Sequence, residues 1–247
     1  MKPAARLTLF GVAAVTFAVI VGSAVADIRP NDWYADFVNR VTVPERQITD
    51  AVTAVNFDIR GFDTLGEEFI MFASVLGVAL LLRRHRDERD GPPRDRAQGR
   101  DIPPPSDAVR ILTVALVGPV VLFGIYVVAH GQVTPGGGFQ GGVVLATAPL
   151  LIYLAGEYQS LCRLAPRWLM ESAEALGAGG YAIVGAIGML RAERFLENWM
   201  PLGRAGDVFS GGSVALIDWT VGLEVAGGFI LLLLIFLEET LVRRDPA

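Results

Sequence analysis

The sequence is short of the residues on which metal and redox chemistry depend. It has one cysteine, Cys162, and two histidines, His85 and His130. A single cysteine excludes an internal disulfide, and three scattered residues give no zinc or iron–sulfur spacing. No cofactor or metal is therefore expected in this chain. Lysine is as scarce: Lys2 stands alone, and every other basic residue is an arginine. The formal charge of -5 is mild and points away from nucleic acid. No nucleophile–base pair and no phosphate-cradling loop stands out, and the apolar blocks exclude an ordinary soluble enzyme.

Those blocks are what the chain has in abundance. It is 52% hydrophobic with a mean hydropathy of +0.46, and the apolar residues are gathered into runs of the length that crosses a bilayer core. The runs are Leu7–Val25, Phe69–Leu82, Ile111–Ala129, Val143–Ala155 with its glycine-rich lead, Leu176–Leu190 and Ala215–Leu237. The expected fold is an all-α polytopic membrane protein with about six transmembrane helices. The first run is followed by Ala24-Val25-Ala26, which resembles a signal-peptidase site; its apolar core is longer than a usual signal peptide, and a retained helix is expected.

Charge orients the spans. With both termini cytoplasmic, 14 of the 21 basic residues fall inside, including those of the Pro-rich stretch Arg83–Asp107. That bias agrees with the positive-inside rule. The stretch reads as a flexible cytoplasmic linker, and residues 83–108 divide a two-helix segment, 1–82, from a four-helix segment, 109–247. Trp33 and Tyr34, in the polar segment after the first run, suit a membrane interface.

Two stretches carry the unusual chemistry. The first, His130-Gly131-Gln132-Val133 followed by Thr134, Pro135, Gly136, Gly137, Gly138, Phe139, Gln140, Gly141 and Gly142, lies between two apolar runs. Thr134 suits an N-cap and Pro135 the first helical position, so a helix is expected to begin there. Glycines at a helix start cost up to about 1 kcal/mol each relative to alanine. Either close helix packing or an ion path lined by backbone amides offsets that cost. Phe139 reads as a packing knob, and His130 as a solvated or capping residue or a relay. The second stretch, Asn56 to Glu68, places Asp63 and Glu67 four apart on one helix face, with Glu68 adjacent. These acids either complement the helix dipole or act as cation or proton ligands. Gly66, Ala73 and Gly77 form a small-residue stripe below them.

Glu224 is the most informative single residue. It lies deep in the last apolar run beside Gly222, and a carboxyl there must be protonated, paired or wet. It either hydrogen-bonds a polar residue on a neighbouring helix or handles a proton or sodium ion. Asp218 and Trp219 are nearer the boundary and read as interfacial, as does the stretch Cys162–Ala175.

The first stretch closely resembles the PGGGFQGG motif of the B-type subunit (MnhB/MrpB family) of the Mrp-type multisubunit Na+/H+ antiporters, a domain also found in membrane-bound hydrogenases. That family commonly reads His-Gly-His before Thr-Pro; here Gln132 stands at the second histidine. Pro201-Leu202-Gly203, Phe209 to Gly212 and Gly222 to Val225 resemble further patterns of the same B-type family. The second stretch resembles the DFRGFDTLGE motif near the C-terminal end of the A-type Mrp subunit, found elsewhere as the small E-type subunit of membrane-bound hydrogenases. The resemblance implies a subunit of a cation/proton antiporter in a prokaryotic plasma membrane. It implies partner subunits of the A, C, D, E, F and G types, a lipid bilayer around them, and Na+ and H+ as transported ions. It leaves open the membrane arm of a hydrogenase or complex-I-like enzyme, and a purely structural scaffold.

Overall fold

A computed structural model describes residues 3–26, 32–82, 105–156 and 158–241. The chain divides into two compact units, Met1–Phe37 and Val38–Ala247. The first holds α1 (Pro3–Ala26) and the start of α2 (Asp32–Arg46), where Trp33 meets Tyr34 edge-on and Tyr34 lies tilted against Phe37. The apolar part of α1, Phe10–Ser23, exposes its side chains throughout.

In the second unit, α3 (Ala51–Ala54), capped by the Asp50 carboxylate on Thr53 N, runs into a π-helical turn, Val55–Ile59. Then come α4 (Gly61–Leu81), α5 (Asp107–Ala129), α6 (Gly138–Ala155), the short α7 (Tyr158–Leu164), α8 (Arg167–Ala192) and α9 (Ser213–Leu241). Helices α4, α5, α6, α8 and α9 are long and apolar enough to cross a membrane. Of about six expected spans, five thus appear at full length and the first as a shorter apolar helix, Phe10–Ser23, among the described residues; the fold is an all-α multi-pass membrane protein. The linker stretch 83–104 and His85 within it lie outside the described residues.

The spanning helices sort themselves by what they bury. In α9, 56% of the most apolar window is buried, against 17% in α5. Helices α4, α5, α6 and α8 pack around α9, with small residues setting the approach. α8 runs antiparallel to it: a Cβ at Gly177 would collide with the Glu224 backbone, and one at Gly227 with Glu174 N. α6 runs parallel: Gly138 faces Val221 and Gly142 faces Val225. α4 is also parallel, since Leu65 shares a cluster with Val221 and Val225, and Val75 with Leu231 and Ile235. Hairpin α5–α6 closes where Gly141 meets Val128 and Gly124 meets Leu145. Close approach of small-residue faces is the usual means of packing helices when lipid supplies no hydrophobic drive. The outward side of α5 stays exposed, at Ile111, Leu112, Leu122 and Phe123 among others.

Two sequence expectations need correction. The glycine helix begins at Gly138, not at Thr134 and Pro135, which lie in the preceding turn. Its N-cap position is Gly137, with φ 106, and Gly136 before it has φ 154; these left-handed angles are ones that glycine alone adopts without strain. Asp218 is not interfacial but wholly buried. Cys162–Ala175, expected as an interfacial turn or short helix, comprises the end of the short α7 and the first turns of α8; it is largely exposed, with Glu174 buried.

Candidate functional site

Two polar nodes lie within the helix bundle. The outer one is built on Asp218. Its Oδ1 accepts a hydrogen bond from Gly138 N at 2.9 Å, so a carboxylate from α9 caps the N-terminus of α6. A helix start has unsatisfied N–H groups and a partial positive charge, both of which suit a carboxylate. The glycines make room for it: a Cβ at Gly131 would lie 2.5 Å from Asp218 Oδ2, and one at Gly137 2.7 Å from Oδ1. This contact offsets the conformational cost of the glycine run. No donor among the described residues reaches Asp218 Oδ2.

The turn before Gly138 is tied to α3. Thr49 N and Asp50 N donate to Gln132 O, and Thr53 Oγ1 donates to Gly131 O at 2.6 Å. Gln132, also buried, donates its amide to Ala129 O and to Val208 O. It thus serves as a neutral brace between the α5 end and the loop before α9. His130 is half-buried, its ring stacked on Tyr126 at 4.1 Å between centroids, with Nδ1 3.0 Å from Tyr126 O. Thr134 and Pro135 line the turn, Phe139 packs against the core cluster around Val221, and Gln140 is exposed. Gly141 and Gly142 are buried against α5 and α9, and Gly222 against Val128.

The inner node consists of acids. Glu68 of α4 and Glu224 of α9 are both 0% exposed, and their side chains are near enough to interact electrostatically. No N–H or O–H among the described residues donates to any of their four oxygens. Two ionised carboxylates offer only acceptors, so a direct hydrogen bond between them requires a proton on one. Glu174 of α8 is buried nearby, with Oε1 also lacking a donor among the described residues. It sits one turn before Gly177, the residue that seats Glu224. From Asp218 to Glu224 is about 9 Å along α9, and Glu174 lies about 4.5 Å further along α8. Buried acids thus descend through the interior of the bundle, where an isolated charge is costly.

The remaining acids at the head of α4 lie elsewhere. Asp63 is exposed and paired with Arg60, and Glu67 is exposed. The helix face shared by Asp63 and Glu67 is the outer face; the inward face runs through Gly61, Thr64, Leu65 and Glu68. Asp218 and Glu174 are site residues that sequence reasoning does not single out. A repeating pattern of glycine on the opposing helices is the only signal for them, and it cannot be aligned without knowing which helices meet.

Comparison with known proteins places this arrangement. The profile of domains related to the MnhB subunit of Na+/H+ antiporters matches residues 108–231, and that of the E subunit of the membrane-bound hydrogenase (MBH) matches residues 5–98. An uncharacterised protein of Methanocaldococcus jannaschii is 29% identical over 213 residues, which is 77% of this chain and 78% of that protein. A probable A/B subunit of a K+/H+ antiporter of Rhizobium meliloti is 27% identical over 155 residues, covering 54% of this chain but 16% of that protein. Among solved structures, a chain of the membrane-bound sulfane sulfur reductase, an archaeal respiratory membrane complex, superposes with a TM-score of 0.74 at 28% identity. That match covers 94% of this chain and 98% of the other. A chain of the Mrp complex of Dietzia sp. superposes with a TM-score of 0.76 at 21% identity, over 100% of this chain and 27% of the other.

Proposed function

The chain belongs to the family of membrane domains related to the MnhB subunit of Na+/H+ antiporters, and from that membership we propose that it works as an integral subunit of a multisubunit cation/proton antiporter. Its own chemical contribution is a proton- or cation-holding station in the middle of the membrane. The observation that carries this reading is the Glu68–Glu224 pair: two wholly buried carboxyls from different spanning helices, near enough to interact electrostatically. No basic or hydroxyl partner reaches them among the described residues. A structural role would be served at lower cost by apolar residues, whereas a site that must load and unload charge needs this arrangement. Glu174 and Asp218 extend the acidic series towards the two ends of the bundle. Partner subunits of the A, C, D, E, F and G types, Na+ and H+ as cargo, a prokaryotic plasma membrane and cytoplasmic termini complete the reading. A 1–82 segment of the E or A-tail type and a 109–247 segment of the B type are joined in this single chain.

The test is transport by the whole complex in inverted membrane vesicles. Glu224→Gln and Glu68→Gln each keep shape and hydrogen-bonding capacity but cannot hold a charge. Each is expected to lower cation-driven proton efflux about ten-fold or more while the complex still assembles on native gels. Normal transport by both assembled variants would leave packing as the sole role of these residues.

The sulfane sulfur reductase match favours a second reading, because it covers nearly the whole of a chain from a respiratory complex. There the same station would couple redox chemistry on other subunits to ion movement. Purifying the complex and identifying its other subunits separates the two: iron–sulfur partners support the respiratory reading, and antiporter-type membrane subunits alone support the first.

A further inference from the structure

Glu174 is the third acid at the inner node, and it is 5% exposed where Glu68 and Glu224 are 0%. Its Oε1 lies against Gly228 of α9, 3.5 Å from where a Cβ would stand. Gly228 is one helical turn beyond Glu224, about 6 Å along the axis, and Glu174 is near enough to Glu224 to interact electrostatically. The notch opens towards α4, whose Met71 and Val75 come within 3.2 and 3.3 Å of the same Cβ position. Glu174 Oε1 has no donor among the described residues, as is true of the four oxygens of the pair. In the opposite direction, Glu171 precedes Glu174 by three residues on α8, a spacing that puts their Cβ atoms about 5–6 Å apart. Glu171 is exposed and accepts a hydrogen bond from Arg167 Nε at 2.8 Å. With 26 residues, α8 is about six longer than a bilayer core requires, and Arg167 and Glu171 mark one overhanging end. Exposure of the acids thus falls from Glu171 to Glu174 to the pair.

We propose that Glu174 is the carboxyl through which the Glu68–Glu224 pair exchanges protons with the end of the bundle at which α8 begins. The inference rests on the reading of that pair as a charge-holding station. When the pair is short of a proton, one leaves the Glu174 carboxyl and binds Glu224, a step within reach of one bridging water. Glu174 is then reprotonated from the side of Glu171; release runs the same steps in reverse, and no electron moves. The exchange suits a proton because one carboxyl at a time suffices to carry it. A metal ion needs several ligands at once, and no three acids among the described residues are placed to hold one together. The unpartnered Oε1 has a use in this scheme: a carboxyl already tied to a fixed donor is a poor carrier, whereas one without a donor is free to take up a proton and to part with it.

The experiment measures turnover of the assembled complex in vesicles, in H2O and in D2O, at saturating Na+ or K+. Glu174→Gln is expected to lower turnover about ten-fold and to raise the solvent deuterium isotope effect about two-fold, because proton delivery becomes the slow step. The apparent KM for the cation is expected to stay unchanged. Glu174→Asp keeps the acid but retracts it by one carbon. It is expected to fall between the two, about three-fold slow with a raised isotope effect, and it keeps the test readable if Glu174→Gln does not assemble. Equal losses in both variants with an unchanged isotope effect would make Glu174 a packing residue and overturn the proposal. Wild-type turnover in either assembled variant while Glu224→Gln is impaired would overturn it too. A rise in the cation KM that matches the loss of turnover would make Glu174 a cation ligand and overturn the proton assignment. If Glu224→Gln transports normally in the same assay, the station itself is wrong and the role of Glu174 falls with it.

Discussion

Asp218 shows how a single side chain gives purpose to a long motif. The carboxylate caps α6 through Gly138 N and occupies the space that Gly131 and Gly137 leave open. Asp218→Ala strips the cap and leaves a buried N–H unsatisfied, a loss of about 1–3 kcal/mol. Asp218→Asn keeps an acceptor and is expected to cost less. Thermal unfolding of the detergent-purified complex ranks the two, and equal losses would contradict the capping role. Asp58 supplies a pH prediction. Because burial raises its carboxyl above the ordinary 3.8 despite Arg46, the folded state holds its proton to a higher pH than the unfolded state does. Between those two values the unfolding free energy falls as pH rises. Melting of the wild-type complex is expected to decline across that window, and Asp58→Asn to flatten the decline. At this scale the sequence reveals Glu224, because a carboxyl in an apolar run is conspicuous. It does not single out Glu68 from Asp63 and Glu67, since three acids within two turns differ only in which face meets α9. It hides Asp218 and Glu174, which sit nearer the run ends and look interfacial until the glycines opposite them are aligned.

Helix pairs are legible in part. The apolar runs locate the spans, but not their ends. Thr134 and Pro135 look like a helix start because local capping rules favour them; the actual start, Gly138, is set by a residue 80 positions away. Small residues likewise prove unequal. Gly177 and Gly142 are notches for the α9 backbone and for Val225, whereas Gly66 and Gly77 meet nothing within 4 Å. Gly177→Leu and Gly142→Leu are therefore expected to abolish assembly of the chain into a stable complex. Gly66→Ala and Gly77→Ala are expected to be neutral or to stabilise α4 by up to about 1 kcal/mol in the isolated chain. Gel-filtration yield of each variant, with and without co-expressed partners, checks this. A loss at Gly66 or Gly77 only when partners are present would locate an intersubunit contact on that face.

Over the molecule as a whole, composition and run length suffice for the fold class, and two motifs suffice for the family. Neither can show that α9 is the hub, because its neighbours are chosen by side-chain fit between segments far apart in sequence. The exposed outer face of α5 and the buried series of acids have opposite requirements. The first tolerates lipid or another protein, while the second needs protein on every side, which α4, α6, α8 and α9 together supply.

The reach of Asp218 has a consequence for synthesis. The amide it caps leaves the ribosome long before it does, so the α5–α6 hairpin must wait in the translocon or the bilayer with its amino end unsatisfied until the final segment inserts. A nascent chain halted at residue 212 should therefore be cleaved readily by protease in the turn at residues 131–137. Extending it past Asp218 should protect that turn abruptly, the last part to insert completing the hairpin made long before it.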